Sequence, residues 1–440
     1  MNNKKWMAIL LGGIMAASLA APCSVSAAEK TTLTFWHAMG GTNGEVLQQI
    51  VDDFNASQDE IEIKAEYQGT YDDTITKLKA AMQSDSGLPD VCQMYDVGTK
   101  FMYDSGAVIP VEDKFESTGY DKSSVMEVIS SYYTVDGKQY AMPFNVSTPM
   151  LYYNKDVFEA AGLDPETSPT TYDEVLEDAK KIVDSGAAPV GYSQAIYGWF
   201  FEQQLAGLGV TYGNNDNGRK EAVTAVDFDS NGGGLKVFDM WKKLYDSGYF
   251  EDYGTTTADT QTAFFSGQVG MIIESTAILK NAVDSSPFEV GTGYLPRIEQ
   301  NDEGGVIIGG GSLWLTDTGN EANEDAAWKF IEYITTPDVQ AKWSMGTGYF
   351  AINEKAYETD DMKAYLKENP NFETAINQLK DSPVNCNTAG VLSGVQTEAR
   401  LTFNEIMPQV YDGKLTTQDA VDQLAASVNK AIENYNESIK

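Results

Sequence analysis

The sequence predicts an α/β protein of two lobes, each built on a mainly parallel sheet flanked by helices, the lobes joined by a hinge of crossing strands. Three observations carry this. Strand-like and helix-like stretches alternate from the start of the folded chain, which is the pattern of parallel sheets with helical crossovers. About 410 residues follow the leader, more than one hydrophobic core commonly serves. No Gly/Ser tract, charge run or internal repeat separates two halves, so strands and not a tether join them.

The elements follow in order. Thr31 to Trp36 reads as a strand in which Leu33 and Phe35 alternate with threonines. Val46, Leu47, Ile50, Val51 and Phe54 recur at helical spacing. Ile61, Ile63 and Ala65 alternate with Glu62, Lys64 and Glu66 as a half-buried strand, and Thr74 to Met82 returns to helix. Asp90 to Tyr95 is a short apolar strand ending in the loop Asp96-Val97-Gly98. A second region opens near Tyr140 with two prolines and an apolar, aromatic strand through Lys155. Thr171 starts a helix with Tyr172, Val175, Leu176, Ala179 and Ile182 on one face. Gly232–Leu244, Thr260–Phe265, Glu324–Thr335 and Asp419–Ser438 read as helices. Gly270–Ile273 reads as a buried strand, and Val306–Leu315 as a strand interrupted by three glycines.

The amino terminus has the three parts of a secretory leader: Lys4 and Lys5, an uncharged apolar run from Trp6 to Ala20, and small residues through Ala28. Cleavage is placed after Ala28, giving a leader over 1–28; Ala27 is the alternative. The apolar run is short for a membrane span, which needs about 20 residues. Cys23 near its end offers a lipid-anchor reading, which Pro22 in the preceding position disfavours. The chain is thus read as exported, periplasmic or extracellular.

Composition removes several function classes. The formal charge is −35, and loss of Lys4 and Lys5 with the leader takes it to −37, which opposes binding to nucleic acid or anionic membrane. His37 is the only histidine, which argues against histidine-ligated zinc and against Ser-His-Asp or Cys-His catalysis. Cys92 and Cys386 lack metal-like spacing and are read as separate thiols. The glycines at 309–311 lack the Lys-Ser/Thr of a phosphate-binding loop, and no nucleophile elbow is present. With 65 acidic residues, chance carboxylate pairs are everywhere, so none marks a glycosidase. We expect no enzyme activity, no metal site and no cofactor.

Several short segments, taken together, carry a resemblance. They are Phe35-Trp-His37, Tyr67-Gln-Gly-Thr-Tyr71, Tyr95-Asp-Val-Gly-Thr99, Pro143-Phe-Asn-Val-Ser-Thr-Pro149, Leu151-Tyr-Tyr-Asn-Lys155, Gly162-Leu-Asp-Pro165, Ile307-Ile-Gly-Gly-Gly-Ser-Leu-Trp314, Thr347-Gly-Tyr349 and the stretch reaching Arg400. In this order the chain resembles family 1 extracellular solute-binding proteins of ABC importers, in their glycerol-3-phosphate-binding branch. The resemblance implies the two-lobed periplasmic-binding-protein fold with lobes discontinuous in sequence: 29–142 with 276–333 as one, 143–275 with 334–440 as the other. It implies a monomer that binds a small organic phosphate, sn-glycerol-3-phosphate or a glycerophosphodiester, and hands it to membrane permease subunits. An oligosaccharide binder is the alternative, since 24 tyrosines could supply stacking faces.

A phosphate monoester carries about −1.5 to −2 charges near neutral pH, so a dehydrated site needs directed donors and a fixed cation. Only three arginines exist. Arg219 lies in a polar loop, Arg297 follows Pro296 in a turn, and Arg400 is flanked by Leu401 and Phe403. Read from the residues alone, Arg400 is a surface arginine near Glu398 and Glu405, although neither acid has the spacing that brings helical side chains together. The resemblance instead places Arg400 on the phosphate, because a planar guanidinium engages two oxygens at once. It adds Tyr71 and Tyr349 as phenolic donors, Ser147 and Ser275 as hydroxyl donors, and Gly310 as a backbone N–H. For the alcohol end it implies Asp96, where the family carries Glu, and Trp199 as an aromatic wall. Ile196 stands where the family has a second Trp. Both departures fall on the alcohol side, which leaves the organic group more open than the phosphate.

Overall fold

Among the described residues, twelve strands form three sheets: β1 (Thr31–His37), β2 (Ile61–Tyr67), β3 (Val91–Tyr95), β4 (Val108–Ile109), β5 (Thr134–Val135), β6 (Lys138–Gln139), β7 (Met142–Ser147), β8 (Pro149–Asn154), β9 (Val190–Ser193), β10 (Val269–Ser275), β11 (Val290–Gly293) and β12 (Gly309–Thr316). The structure is a computed structural model that describes residues 30–84 and 87–439. The expected leader and Cys23 lie outside the described residues.

The larger sheet runs β2-β1-β3-β12-β4, with β7 also on β12; the smaller runs β11-β8-β10-β9, and β5 and β6 form a separate ribbon. The alternating pattern of β1 is borne out, with Leu33 and Phe35 buried in the same core as the inner face of the Gly41–Ser57 helix, Leu47, Ile50, Val51 and Phe54. A Thr171 capping box starts the Tyr172–Ser185 helix as read from sequence.

The α/β class holds, but the sheets are mixed and not mainly parallel. β1 runs parallel to β2 and β3, whereas β12 is antiparallel to β3, β4 and β7. In the smaller sheet only β9 and β10 are parallel. Side-chain alternation reports which face a strand buries and carries no record of its direction, so the late strand β12 could not be oriented from it. Among the strands, β7 pairs only with β12, with a single further bridge from Val146 to Phe350, and this edge position tolerates Pro143, which has no N–H to donate.

The division between lobes also differs from the expected one. β7, expected in the second lobe, belongs to the larger sheet, and the chain changes sheets at Thr148, six residues later than read. β11, expected in the first lobe, pairs with β8 in the smaller sheet. The helix Pro337–Thr347 packs on the larger sheet: Trp343 stacks on Phe144 with centroids 4.5 Å apart, Lys342 pairs with Asp53 at 2.6 Å, and Phe350 N–H donates to the Val146 carbonyl. Each of these segments is apolar enough to join either core, so only tertiary pairing decides.

The changeover is tightly tied. The Thr148 N–H donates to Thr276 Oγ1 (3.1 Å), the Thr276 N–H donates to the Thr148 carbonyl (2.8 Å), and Gln378 Nε2 donates to the Pro149 carbonyl (2.7 Å). Thr148 and Thr276 are buried, so each of these bonds satisfies a group that would otherwise lose water without replacement. Cys92 and Cys386 are free thiols, as read.

Candidate functional site

A cavity of about 420 Å³ opens where the ends of the two sheets face each other. All eight sequence-predicted site residues line it: Tyr71, Asp96, Ser147, Trp199, Ser275, Gly310, Tyr349 and Arg400. They come from the two sheets and from helices on both sides, and each has a local reason for its place.

Tyr71 opens the Tyr71–Met82 helix directly after Thr70, whose hydroxyl caps the Asp73 N–H while the Asp73 carboxylate accepts from the Thr70 N–H. This box fixes the entry angle of the helix. The Tyr71 ring then stacks on Tyr95, with centroids 4.9 Å apart and planes 9° from parallel. Its oxygen accepts from Asn145 Nδ2 (2.7 Å), and Asn145 Oδ1 in turn accepts from Gln93 Nε2 (2.7 Å), so the phenol keeps its own hydrogen to donate. Burial raises the Tyr71 and Tyr349 phenols above their ordinary value, which keeps both as neutral donors.

Gly310 has φ +96°, and a Cβ there would collide with the Asn145 carbonyl oxygen, so a residue without a side chain is required. Ser147 pairs with Gly309 across β7 and β12. Ser275 ends β10 and caps the following turn by accepting from the Ala277 N–H. Beside it, Glu274 is buried, accepts from Gln261 Nε2 (2.9 Å) and from the Ser275 N–H (2.7 Å), and has its carboxyl pushed up by burial.

Arg400 lies in the helix Gln396–Tyr411, which crosses the start of the helix Gly198–Gly207 so closely that a Cβ on Gly198 would stand 2.5 Å from Arg400 Cα. The Gly198 N–H donates to Asn404 Oδ1 (2.9 Å), which locks the crossing. Arg400 is 7% exposed, so the surface reading of it does not hold. Its Nε and Nη2 donate to Glu202 Oε1 and Oε2, both at 2.7 Å, and Nη2 also donates to Asp96 Oδ2 at 2.8 Å. Burial opposes the charge, but the attraction of Asp96 and Glu202 outweighs it and holds the guanidinium well above its ordinary value. Glu398 and Glu405 are not its partners, as their spacing implied.

The other arginines are elsewhere. Arg219 donates to the carbonyls of Tyr132 (2.8 Å) and Gly390 (3.0 Å), and Arg297 is exposed. Among the described residues that line the cavity, Arg400 is therefore the single cation. Two findings depart from the sequence reading. Asp96, expected to await ligand hydroxyls, has one oxygen on Arg400. Glu202 was missed altogether, although a carboxylate among Trp199, Phe200, Phe201 and Leu205 is a legible signal, since a buried charge needs a partner.

A profile of the bacterial extracellular solute-binding proteins matches residues 49–374. The chain belongs to that family. Its members capture a small molecule and work with the permease of an ABC importer, and this chain is such a solute-binding protein. It is 30% identical over 417 residues to the sn-glycerol-3-phosphate-binding periplasmic protein UgpB of Escherichia coli K12, covering 93% of this chain and 94% of that protein. Among solved structures it is similar to the cyclic α-maltosyl-1,6-maltose-binding protein of Arthrobacter globiformis, at 26% identity and TM-score 0.77, covering 92% of this chain and all of the other. It shares the fold of Mycobacterium tuberculosis UgpB in complex with glycerophosphocholine, at 20% identity and TM-score 0.79, covering 93% of this chain and all of the other. Family members act outside the cytoplasm, and among the described residues no helix is long and apolar enough to cross a membrane. No cluster of His, Cys, Asp and Glu suited to a metal ion occurs among the described residues.

Proposed function

We propose that this chain captures a small organic phosphate, sn-glycerol-3-phosphate or a glycerophosphodiester, between its lobes and delivers it to the permease by binding alone, without catalysis and as a monomer. The observation that carries this reading is a buried guanidinium, the single cation among the described residues of the cavity wall, beside five neutral donors and the carboxylates Asp72, Asp96 and Glu274. Ser147, Ser275, Tyr71, Tyr349 and the Gly310 N–H would hold phosphate oxygens through directed dipoles, while Arg400 supplies the counter-charge. Trp199, so close to Gly309 that a Cβ there would stand 2.8 Å from its ring, would face the alcohol end. Hinge closure would bring donors from both lobes around one anion and exclude water, which strengthens each contact. The name of the 30%-identical relative supports the same ligand class.

Calorimetric titration of the exported chain with glycerol-3-phosphate and glycerophosphocholine tests the reading; micromolar binding corresponds to about −8 kcal/mol. Absence of heat with both refutes it. An oligosaccharide is the second reading, favoured by the aromatic lining of Tyr71, Tyr95, Tyr197 and Trp199 and by the sugar named for the Arthrobacter relative. Titration with maltose and a cyclic maltosyl-maltose decides between them.

A further inference from the structure

We propose that Glu202 is a specificity-determining positioning residue that tunes the site to a singly charged phosphodiester over a doubly charged phosphate monoester. This rests on the phosphate reading above and concerns the charge of the ligand that the same site prefers.

A guanidinium has five N–H groups. Glu202 takes the Nε–H and one Nη2–H as a parallel fork, and Asp96 takes the other Nη2–H. The flat, two-pronged edge that suits a phosphate is thus already occupied by Glu202, and the two Nη1 hydrogens are what Arg400 has left to offer. Glu202 itself cannot swing aside freely. It is 6% exposed, and its Oε1 also accepts from Gln396 Nε2 at 2.9 Å.

The charge count follows from the same contacts. Arg400, Asp96 and Glu202 carry one positive and two negative formal charges, so the trio is net −1 before any ligand enters. Asp72 and Glu274 also line the cavity, and no lysine does. A dianion would add two like charges beside these carboxylates, which disfavours the doubly ionised form. A phosphodiester brings one charge at every pH of interest. Glu202 is the decisive member of the trio because it sits behind Arg400, on the same lobe, and stays there whatever the lobes do. Asp96 reaches Arg400 from the other lobe and can part from it on opening.

The titratable groups that face Arg400 are Asp96, Glu202, Tyr95, Tyr132, Tyr197 and Tyr212. These, with Glu274, act on both kinds of ligand, so a diester serves as the internal control for protein titration.

The test titrates wild type and Glu202→Gln with glycerol-3-phosphate and glycerophosphocholine at pH 5.5 and 7.5. The monoester gains its second charge near pH 6, so in wild type the ratio of monoester to diester affinity should fall about threefold or more across this interval. In Glu202→Gln the ratio at pH 7.5 should rise by about tenfold, since one like charge has been removed beside the ligand. Equal weakening of both probes by Glu202→Gln, with the ratio unchanged, would mean a mere structural brace and overturn the proposal. If the variant does not fold, the wild-type series decides: a ratio that is flat or rises with pH also overturns it. Failure of wild type to bind either probe is a different result, which removes the phosphate reading underneath.

Discussion

Replacing Arg400 by Met is the most informative single change, because the structure says what it leaves behind. The methionine fills similar length without charge, while Asp96 and Glu202, 4% and 6% exposed, lose their shared cation. Of the polar contacts to Glu202, only that from Gln396 Nε2 remains. Breaking a buried pair from one side costs about 3–5 kcal/mol. If the lobe that holds Arg400 melts as a unit, this lowers its melting temperature by on the order of 10 °C. Ligand affinity should collapse as well, but stability is the sharper readout because it needs no ligand. Adding Glu202→Gln and Asp96→Asn to Arg400→Met should restore most of the lost stability, since an uncharged trio has nothing left to compensate. Differential scanning fluorimetry of the single and triple variants at pH 7.5 measures both steps. A single variant that melts with wild type, or a triple variant that melts no higher than the single, would refute the claim that Arg400 compensates two buried carboxylates.

Three further outcomes follow from the geometry. Gly310→Ala should destabilise by more than about 1–3 kcal/mol, the range for a strained backbone position, because φ is +96° and the new methyl meets the Asn145 carbonyl; a melting curve checks it, and affinity should fall with it as Asn145 shifts beneath Tyr71. Thr276→Val should cost about 1–3 kcal/mol by leaving the buried Thr148 N–H without an acceptor, again read by melting, with Thr276→Ser close to wild type. His37 is held neutral by burial, its pKa lowered to about 4. The unfolded chain therefore binds a proton below pH 6.5 that the folded chain refuses, so stability falls by roughly 3 kcal/mol between pH 6.5 and 4; in His37→Gln melts over that range this part of the slope should vanish.

How far the sequence discloses this protein depends on what kind of information each feature needs. The Gly41–Ser57 and Tyr172–Ser185 helices are legible because one face is wet and one dry, which writes a 3.6-residue period into the chain. The helix Gly198–Gly207 is buried along nearly its whole length, so Trp199, Phe200, Phe201 and Leu205 show no period and it passes unread. Sheet membership of β7 and β11 is set by partners far along the chain, which local pattern cannot record. Among the site residues, Gly310 and Ser147 become meaningful only through the resemblance, since a glycine or a serine in a strand is ordinary. The pairing of Arg400 with Glu202 across 198 residues is a tertiary fact; what the sequence held was half of it, an acid embedded where water does not reach.

The position of Asp96 gives the capture step its logic under the proposed function. The charge of Arg400 is answered from both lobes, by Glu202 on its own side and by Asp96 across the cleft, and Tyr95 Oη reaches Thr397 Oγ1 at 2.9 Å beside them. An entering phosphate competes with Asp96 for Nη2, and only the difference between the two bonds appears as affinity. A displaced Asp96 would turn from the cation to the ligand's hydroxyls, so one carboxylate serves as stand-in for the anion and as acceptor for the alcohol. The arm of Asp96 is one methylene shorter than the glutamate of the resembled branch, and it still reaches the guanidinium at 2.8 Å. Under the phosphate reading, that reach would set how near the alcohol must come, and would tie the choice of ligand to the closing of the two lobes.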